Sequence, residues 1–109
     1  MRVRSIPDDG AIIVVVEGEV DLYSSPKLRG EIIRWAKKKA SSMIVDLGAV
    51  TYMDSSGIAT LVEGLQLTKK YGGKLKIARP DPSIQRVLKF AHLDKIFYIF
   101  NSVEEARAE

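Results

Sequence analysis

Short apolar runs alternate with helical periodicity along the whole chain. Arg2 to Ile6 alternates weakly, and Pro7-Asp8-Asp9-Gly10 carries turn chemistry. Ala11 to Val16 is apolar and β-branched, as in a strand covered on both faces, so a hairpin is predicted with the segment before it. Glu17-Gly18-Glu19-Val20-Asp21 then leaves the sheet with three carboxylates. Ser24 or Ser25, with Pro26 behind, opens a helix burying Leu28, Ile32, Trp35 and Ala36 on one stripe. Met43 to Leu47 is long enough for one buried strand, and Ile58, Leu61, Val62 and Leu65 repeat at helical spacing after it. Tyr71-Gly72-Gly73 stops that helix, and Leu75 to Ala78 makes another short strand. Asp81-Pro82 caps a helix burying Ile84, Val87, Leu88 and Ala91. Ile96 to Ile99 is a last strand, and Ser102-Val103-Glu104-Glu105 is a capping box for a terminal helix.

The predicted order is ββαβαβαβα. It implies an α/β fold: a mostly parallel, mixed sheet with an N-terminal β-hairpin and right-handed crossovers. In such sheets, sites form at the carboxyl ends of the strands. If the second and third strands are parallel neighbours, Asp21 and Ser55 share one rim.

The 109 residues correspond to one domain with a sizeable core, 46% hydrophobic and 28% charged, without repeat, linker or low-complexity tract. No apolar run approaches the roughly 20 residues of a membrane span. The N-terminus lacks signal-peptide architecture, so the cytoplasm is the default address. The absence of cysteine excludes a disulfide framework and a thiolate metal site. One asparagine, two glutamines and many charges hint at a heat-adapted source. The net charge of +3 suggests nucleic acid until its sources are placed. Lys37-Lys38-Lys39 and Lys69-Lys70 end predicted helices, where cations suit the dipole, and no aromatic residues are interleaved to stack on bases. The basic footprint lacks a reading motif, which weighs against nucleic-acid binding.

The stretch everything else presents is Met53-Asp54-Ser55-Ser56-Gly57-Ile58, where a strand's exit becomes a helix's first turn. Unpaired N–H groups and the positive end of the dipole favour anionic oxygen there. A serine at that point can cap the helix, attack as a nucleophile or accept a phosphoryl group. Hydrolysis needs a base, and the one histidine, His92, ends the third helix with nothing to bring it to Ser55. Asp54-Ser55-Ser56-Gly57 is not the G-x-S-x-G elbow of hydrolases either. Glu19, Asp21 and Asp54 could hold magnesium, but caps and solvation account for them unaided. No phosphate-cradling glycine motif appears. What remains is a helix cap or a hydroxyl phosphorylated by another protein, with periodicity leaving Ser55 and Ser56 both open.

The order of elements, with Gly18-Glu19-Val20-Asp21 after the second strand and Met53 to Ile58 before the second helix, resembles the STAS domain. More closely, it resembles the stand-alone bacterial anti-sigma factor antagonists of sporulation and stress response. The resemblance covers nearly the whole chain, including Tyr71 to Leu75 and Pro82 to Phe97. It implies a single STAS-like domain over 1–109 whose phosphoacceptor is Ser55, with Asp21, Asp54, Ser56 and Gly57 around it. It also implies a partner-switching cycle. The unphosphorylated form binds an anti-sigma factor that is itself a serine kinase carrying ATP and magnesium, and thereby releases the sigma factor. Phosphorylation ejects the antagonist, and a phosphoserine phosphatase resets it. The chain would be substrate and ligand rather than enzyme, with no cofactor, metal, nucleic acid or membrane insertion of its own.

A second reading within the family is an accessory subunit of a lipid or anion transporter, or a sensory scaffold, with no phosphoswitch. A third is nucleotide binding by the domain itself. Counting 100° per residue from Ile58 puts Thr60, Gly64, Leu67 and Tyr71 opposite the core stripe, as a candidate partner-binding face.

Overall fold

The computed structural model describes residues 1–109. Five strands and four helices follow the expected order: β1 (Arg2–Asp8), β2 (Ala11–Val20), α1 (Ser25–Lys37), β3 (Ser42–Met53), α2 (Ser55–Lys70), β4 (Lys74–Ala78), α3 (Pro82–Phe90), β5 (Tyr98–Phe100) and α4 (Val103–Ala108). The sheet runs β1-β2-β3-β4-β5, with β1 antiparallel to β2 and every later pair parallel. The hairpin turns on Asp9 and Gly10, at φ 49° and 86°, the left-handed pair that lets a two-residue loop follow the strands' twist.

Strands β2 and β3 run past Val16 and Leu47, where their apolar runs end. Both continue as a paired ribbon, β2 to Val20 and β3 to Met53, while β4 stops pairing at Asp46↔Ala78. Within that extension β3 twice inserts an extra residue, since Val15 pairs Asp46, Glu17 pairs Ala49 and Glu19 pairs Tyr52. Buried positions on β3 therefore fall at Leu47, Val50 and Met53, three apart, instead of alternating. Glu17 to Val20 stays in the sheet, and only Asp21 leaves it.

The main core joins one face of β2, β3 and β4 to α1, α2 and α3, through side chains such as Val14, Leu28, Ile32, Val45, Leu61, Ile77 and Leu88. The opposite face carries a smaller cluster around Ile13, Ile44 and Ala78, covered by Ala106 of α4. There the Lys76 ammonium is buried and donates to the Ala106 carbonyl at 2.7 Å, and burial lowers its pKa. Asp46, also buried, is gripped by Arg79 through Nε at 2.9 Å and Nη2 at 2.8 Å, and accepts from the Gly48 N–H at 3.0 Å. Gly48 leaves room for this, because a Cβ there would sit 2.4 Å from the Arg79 Cζ.

Several predicted core positions are only flanks. Trp35 and Ala36 are half-buried; the indole N–H reaches Ser5 at 2.8 Å, and Arg34 and Lys38 lie over the ring at 4.7 and 4.9 Å. Val87 and Ala91 are exposed, because α3 turns only Ile84 and Leu88 inward. The last strand starts two residues later than predicted: Ile96 and Phe97 donate to the Leu93 carbonyl in a turn, and β5 begins at Tyr98.

Candidate functional site

The β2–β3 ribbon delivers two chain exits to one point. Val20 pairs Met53, and the Asp54 N–H donates to the Val20 carbonyl at 3.0 Å, so the segment after β2 lies beside the start of α2. Asp21 and the Asp54–Ser56 turn thus share one rim, as parallel pairing required.

After Asp21 the chain folds into a closed turn. The Asp21 carboxylate accepts the Tyr23 and Ser24 N–H groups at 3.0 Å each, and the Ser24 hydroxyl accepts the Asp21 N–H at 2.9 Å. Ser24 holds the N-cap position of α1, yet its side chain makes no capping bond, being committed to this turn. The helix begins regardless, with Pro26 pre-set for its first turn.

At α2 the cap is Asp54. Its carboxylate accepts the Ser56 N–H at 2.9 Å and the Ser56 hydroxyl at 2.5 Å. The Ser56 hydroxyl is the leading influence holding the Asp54 pKa below the usual aspartate range. Burial is the next largest influence and opposes it, and the N–H groups of Ser56, Gly57 and Leu22 each add a smaller lowering effect. Ser55 occupies the first helical position, is exposed, and has a hydroxyl without a partner inside the chain. Two adjacent serines of equal chemistry are thereby distinguished: Ser56 is engaged and Ser55 is free. Gly57 is buried, and a Cβ there would come within 2.6 Å of Met53 Cγ and 2.9 Å of Val20 Cγ1. Its missing side chain lets the helix start sit directly on the ends of β2 and β3.

The predicted partner face requires correction. Thr60 and Gly64 are buried, Thr60 at 6% exposure, and a Cβ on Gly64 would lie 2.7 Å from Leu75 Cδ1 and 2.9 Å from Ile32 Cγ2. The flank that periodicity placed opposite the core in fact packs on α1. Counting only large apolar residues displaced the stripe, because Gly57, Thr60, Gly64 and Thr68 are buried too and let the backbone approach. Leu67 and Tyr71 are half-buried, and the Tyr71 hydroxyl donates to the Ala40 carbonyl at 2.8 Å.

Three exposed apolar side chains near Ser55 escaped the sequence reading. Leu22 and Tyr23 (91% exposed) project from the Asp21 turn, and Tyr52 stands on β3 just before Asp54. Their signal was available: large apolar residues in a turn and at a strand's end, outside any buried period. None of the four surface clefts borders Ser55. Glu19, Asp21 and Asp54 do not form a cluster able to hold a metal ion. His92 is exposed at φ 60°, where it closes the C-terminus of α3, its N–H donating to the Lys89 carbonyl.

The sequence pattern of the STAS domain matches residues 3–106. This chain belongs to the STAS domain family. Among its relatives is an anti-sigma-B factor antagonist of Bacillus subtilis (strain 168), 34% identical over 92 residues, 84% of each chain. Among solved structures, this STAS domain superposes on an anti-sigma factor antagonist from Mycobacterium paratuberculosis with a TM-score of 0.91 at 24% identity, covering 98% of this chain and 91% of that one. It also matches the Bacillus protein SpoIIAA in its unphosphorylated form, with a TM-score of 0.78 at 17% identity over 98% of this chain and 94% of that one. For the phosphorylated form the TM-score is 0.79 at 19% identity, over 98% and 97%. Both forms share this fold. No helix is long and apolar enough to cross a membrane.

Proposed function

We propose that this STAS domain is an anti-sigma factor antagonist switched by phosphorylation of Ser55. Unphosphorylated, it binds an anti-sigma factor with serine kinase activity and frees the sigma factor. ATP and magnesium belong to that kinase, and a phosphoserine phosphatase reverses the modification. In this reading residues 1–109 act as one cytoplasmic unit that is not an enzyme and needs no cofactor, nucleic acid or membrane insertion. The observation that carries it is the inequality of the two serines: the Ser55 hydroxyl is exposed and free, whereas that of Ser56 is held by Asp54 at 2.5 Å.

The partner surface is the rim around Ser55, formed by the Asp21 turn, Leu22, Tyr23 and Tyr52, in place of Thr60 and Gly64. Exposed aromatic side chains beside a modifiable hydroxyl suit a protein interface, where such residues carry much of the binding energy. A phosphate adds about −1.5 to −2 charges. The helix N-terminus accommodates it, and Asp54 and Asp21 oppose it, so the fold stays as it is. Against a partner shaped for a hydroxyl, the same charge must be desolvated without a counter-ion, which lowers affinity by about a hundredfold or more.

The test is incubation with the cognate anti-sigma kinase and magnesium-ATP, read by intact mass and peptide mapping. One phosphate is expected on wild type and on Ser56→Ala, and none on Ser55→Ala. A wild-type chain that takes no phosphate would place it instead with the accessory domains of transporters or with scaffolds.

A further inference from the structure

The Arg29 guanidinium grips the Glu63 carboxylate at 2.7 and 2.9 Å, bridging α1 to α2. Alongside this bridge, towards the C-terminal ends of both helices, lies an open groove of about 530 Å3. Ile33 and Leu67, half-buried, form its floor with the Tyr71 ring. Lys37 and Lys39 on one wall and Lys70 on the other are exposed, and none takes part in an ion pair. The one carboxylate lining the groove, Glu63, is already matched by Arg29. Lysines at helix C-termini satisfy the dipole. That accounts for the cations but not for the apolar floor left open between them.

We infer that this groove is a second docking surface, taking an acidic amphipathic helix from a partner protein, and that it works whether or not the Ser55 rim is occupied or phosphorylated. Charge selects the occupant, since unpaired ammonium groups on both walls match a helix with carboxylates on its two flanks and an apolar stripe between them. Openness argues against a small amphiphile, which would keep much of its surface wet where small-ligand sites bury most of it. Nucleic acid is disfavoured by the aliphatic floor and by Tyr71, whose hydroxyl is held by Ala40. From Arg29 to Lys37 the wall runs about 12 Å, room for roughly two turns of guest helix. Leu67 and Tyr71 lie about 18 and 24 Å along α2 from Ser55, well beyond the roughly 8 Å screening length at physiological salt. A phosphate on the rim therefore does not gate the groove.

The experiment titrates the 15N-labelled full chain with a synthetic, end-capped peptide of roughly 18 residues, long enough to be helical, bearing a leucine stripe flanked by glutamates. Its lysine-flanked counterpart is the control. Saturable shifts at Ile33, Lys37, Leu67 and Tyr71 are expected, weakening with salt and unchanged by Ser55→Asp. The surface variant Lys37→Gln/Lys70→Gln, which leaves the floor untouched, should lose about tenfold or more in affinity. Four outcomes would overturn the inference: no saturation, equal binding of the lysine-flanked peptide, shifts confined to the Asp21 and Ser55 rim, or indifference to the lysine substitutions. Sedimentation and vesicle pelleting cover the other occupants. A Leu67-dependent dimer would assign the groove to a second copy, and lysine-dependent pelleting with phosphatidylglycerol vesicles would assign it to lipid; either overturns the inference.

Discussion

Replacing Gly64 by alanine asks the structure for a sign rather than a size. On an exposed helix flank, which is where periodicity alone puts Gly64, the substitution would stabilise the helix by about 1 kcal/mol. In the structure the new methyl meets Leu75 at 2.7 Å and Ile32 at 2.9 Å, both closed off from solvent at 0% and 1% exposure. Both side chains must shift within the closed core to admit it, so overpacking of about 2–3 kcal/mol outweighs the helical gain. A net loss of about 1–2 kcal/mol remains, lowering the melting temperature by about 5–10 °C for a domain of this size. Gly30 is the matched control, being exposed inside α1 with nothing within 4 Å of its would-be Cβ. Gly30→Ala should raise stability by about 0.5–1 kcal/mol, or roughly 2.5–5 °C. Calorimetric melts of the two variants against wild type decide the matter. A Gly64→Ala protein melting at or above wild type would refute the packing of α2 on α1 described above.

Three further outcomes follow from the site and its supports. Asp54 should titrate below the usual aspartate value of about 3.9, so the stability it contributes is complete above that pH and is lost only as pH falls through the lower folded-state pKa. Carboxyl 13C NMR should show its midpoint rising in Ser56→Ala, and an unmoved midpoint would remove the Ser56 hydroxyl as the leading cause. Arg79→Ala strands the buried Asp46 carboxylate with only the Gly48 N–H. Because the guanidinium is half exposed and water can enter, urea unfolding should show a loss of about 2–3 kcal/mol rather than the 3–5 of a fully enclosed pair. Tyr23→Ser should leave stability within about 0.5 kcal/mol while weakening anti-sigma binding about tenfold, measured by calorimetric titration; unaltered affinity would take the Asp21 turn out of the interface.

The element order and the hairpin were legible because each rests on long periodic runs or on strong cap and turn residues, while the shared rim stood on the condition of a parallel β2–β3 pair, which the register meets. Asp81 accepts the Ile84 N–H at 2.9 Å and Ser102 that of Glu105 at 3.0 Å, as their sequence positions required. The far halves of β2 and β3 were not legible, since two extra residues in β3 space the buried side chains three apart and hide the strand period. The α2 flank was misread for a different reason. Glycine and threonine can be buried as closely as leucine, but hydropathy gives them no weight. Sequence could bring Ser55 to the rim, but it could not separate Ser55 from Ser56, because the difference lies in which hydroxyl Asp54 already holds.

The overhang of β2 and β3 past the end of β4 makes the rim a replaceable head on a fixed body. Residues 47–53 have no pairing with β4, and the Asp21 turn and the Asp54–Ser56 turn both hang from that two-stranded ribbon. On the proposed function, substitutions among residues 17–24 and 48–59 should change which protein is recognised, provided Gly48, Gly57 and the inward-facing Val20, Val50, Met53 and Ile58 are kept. On that same proposed function, orthogonal switches for use side by side in one cell could be built on this single frame by exchanging those two segments, leaving the sheet's β4 and β5 half as a common chassis.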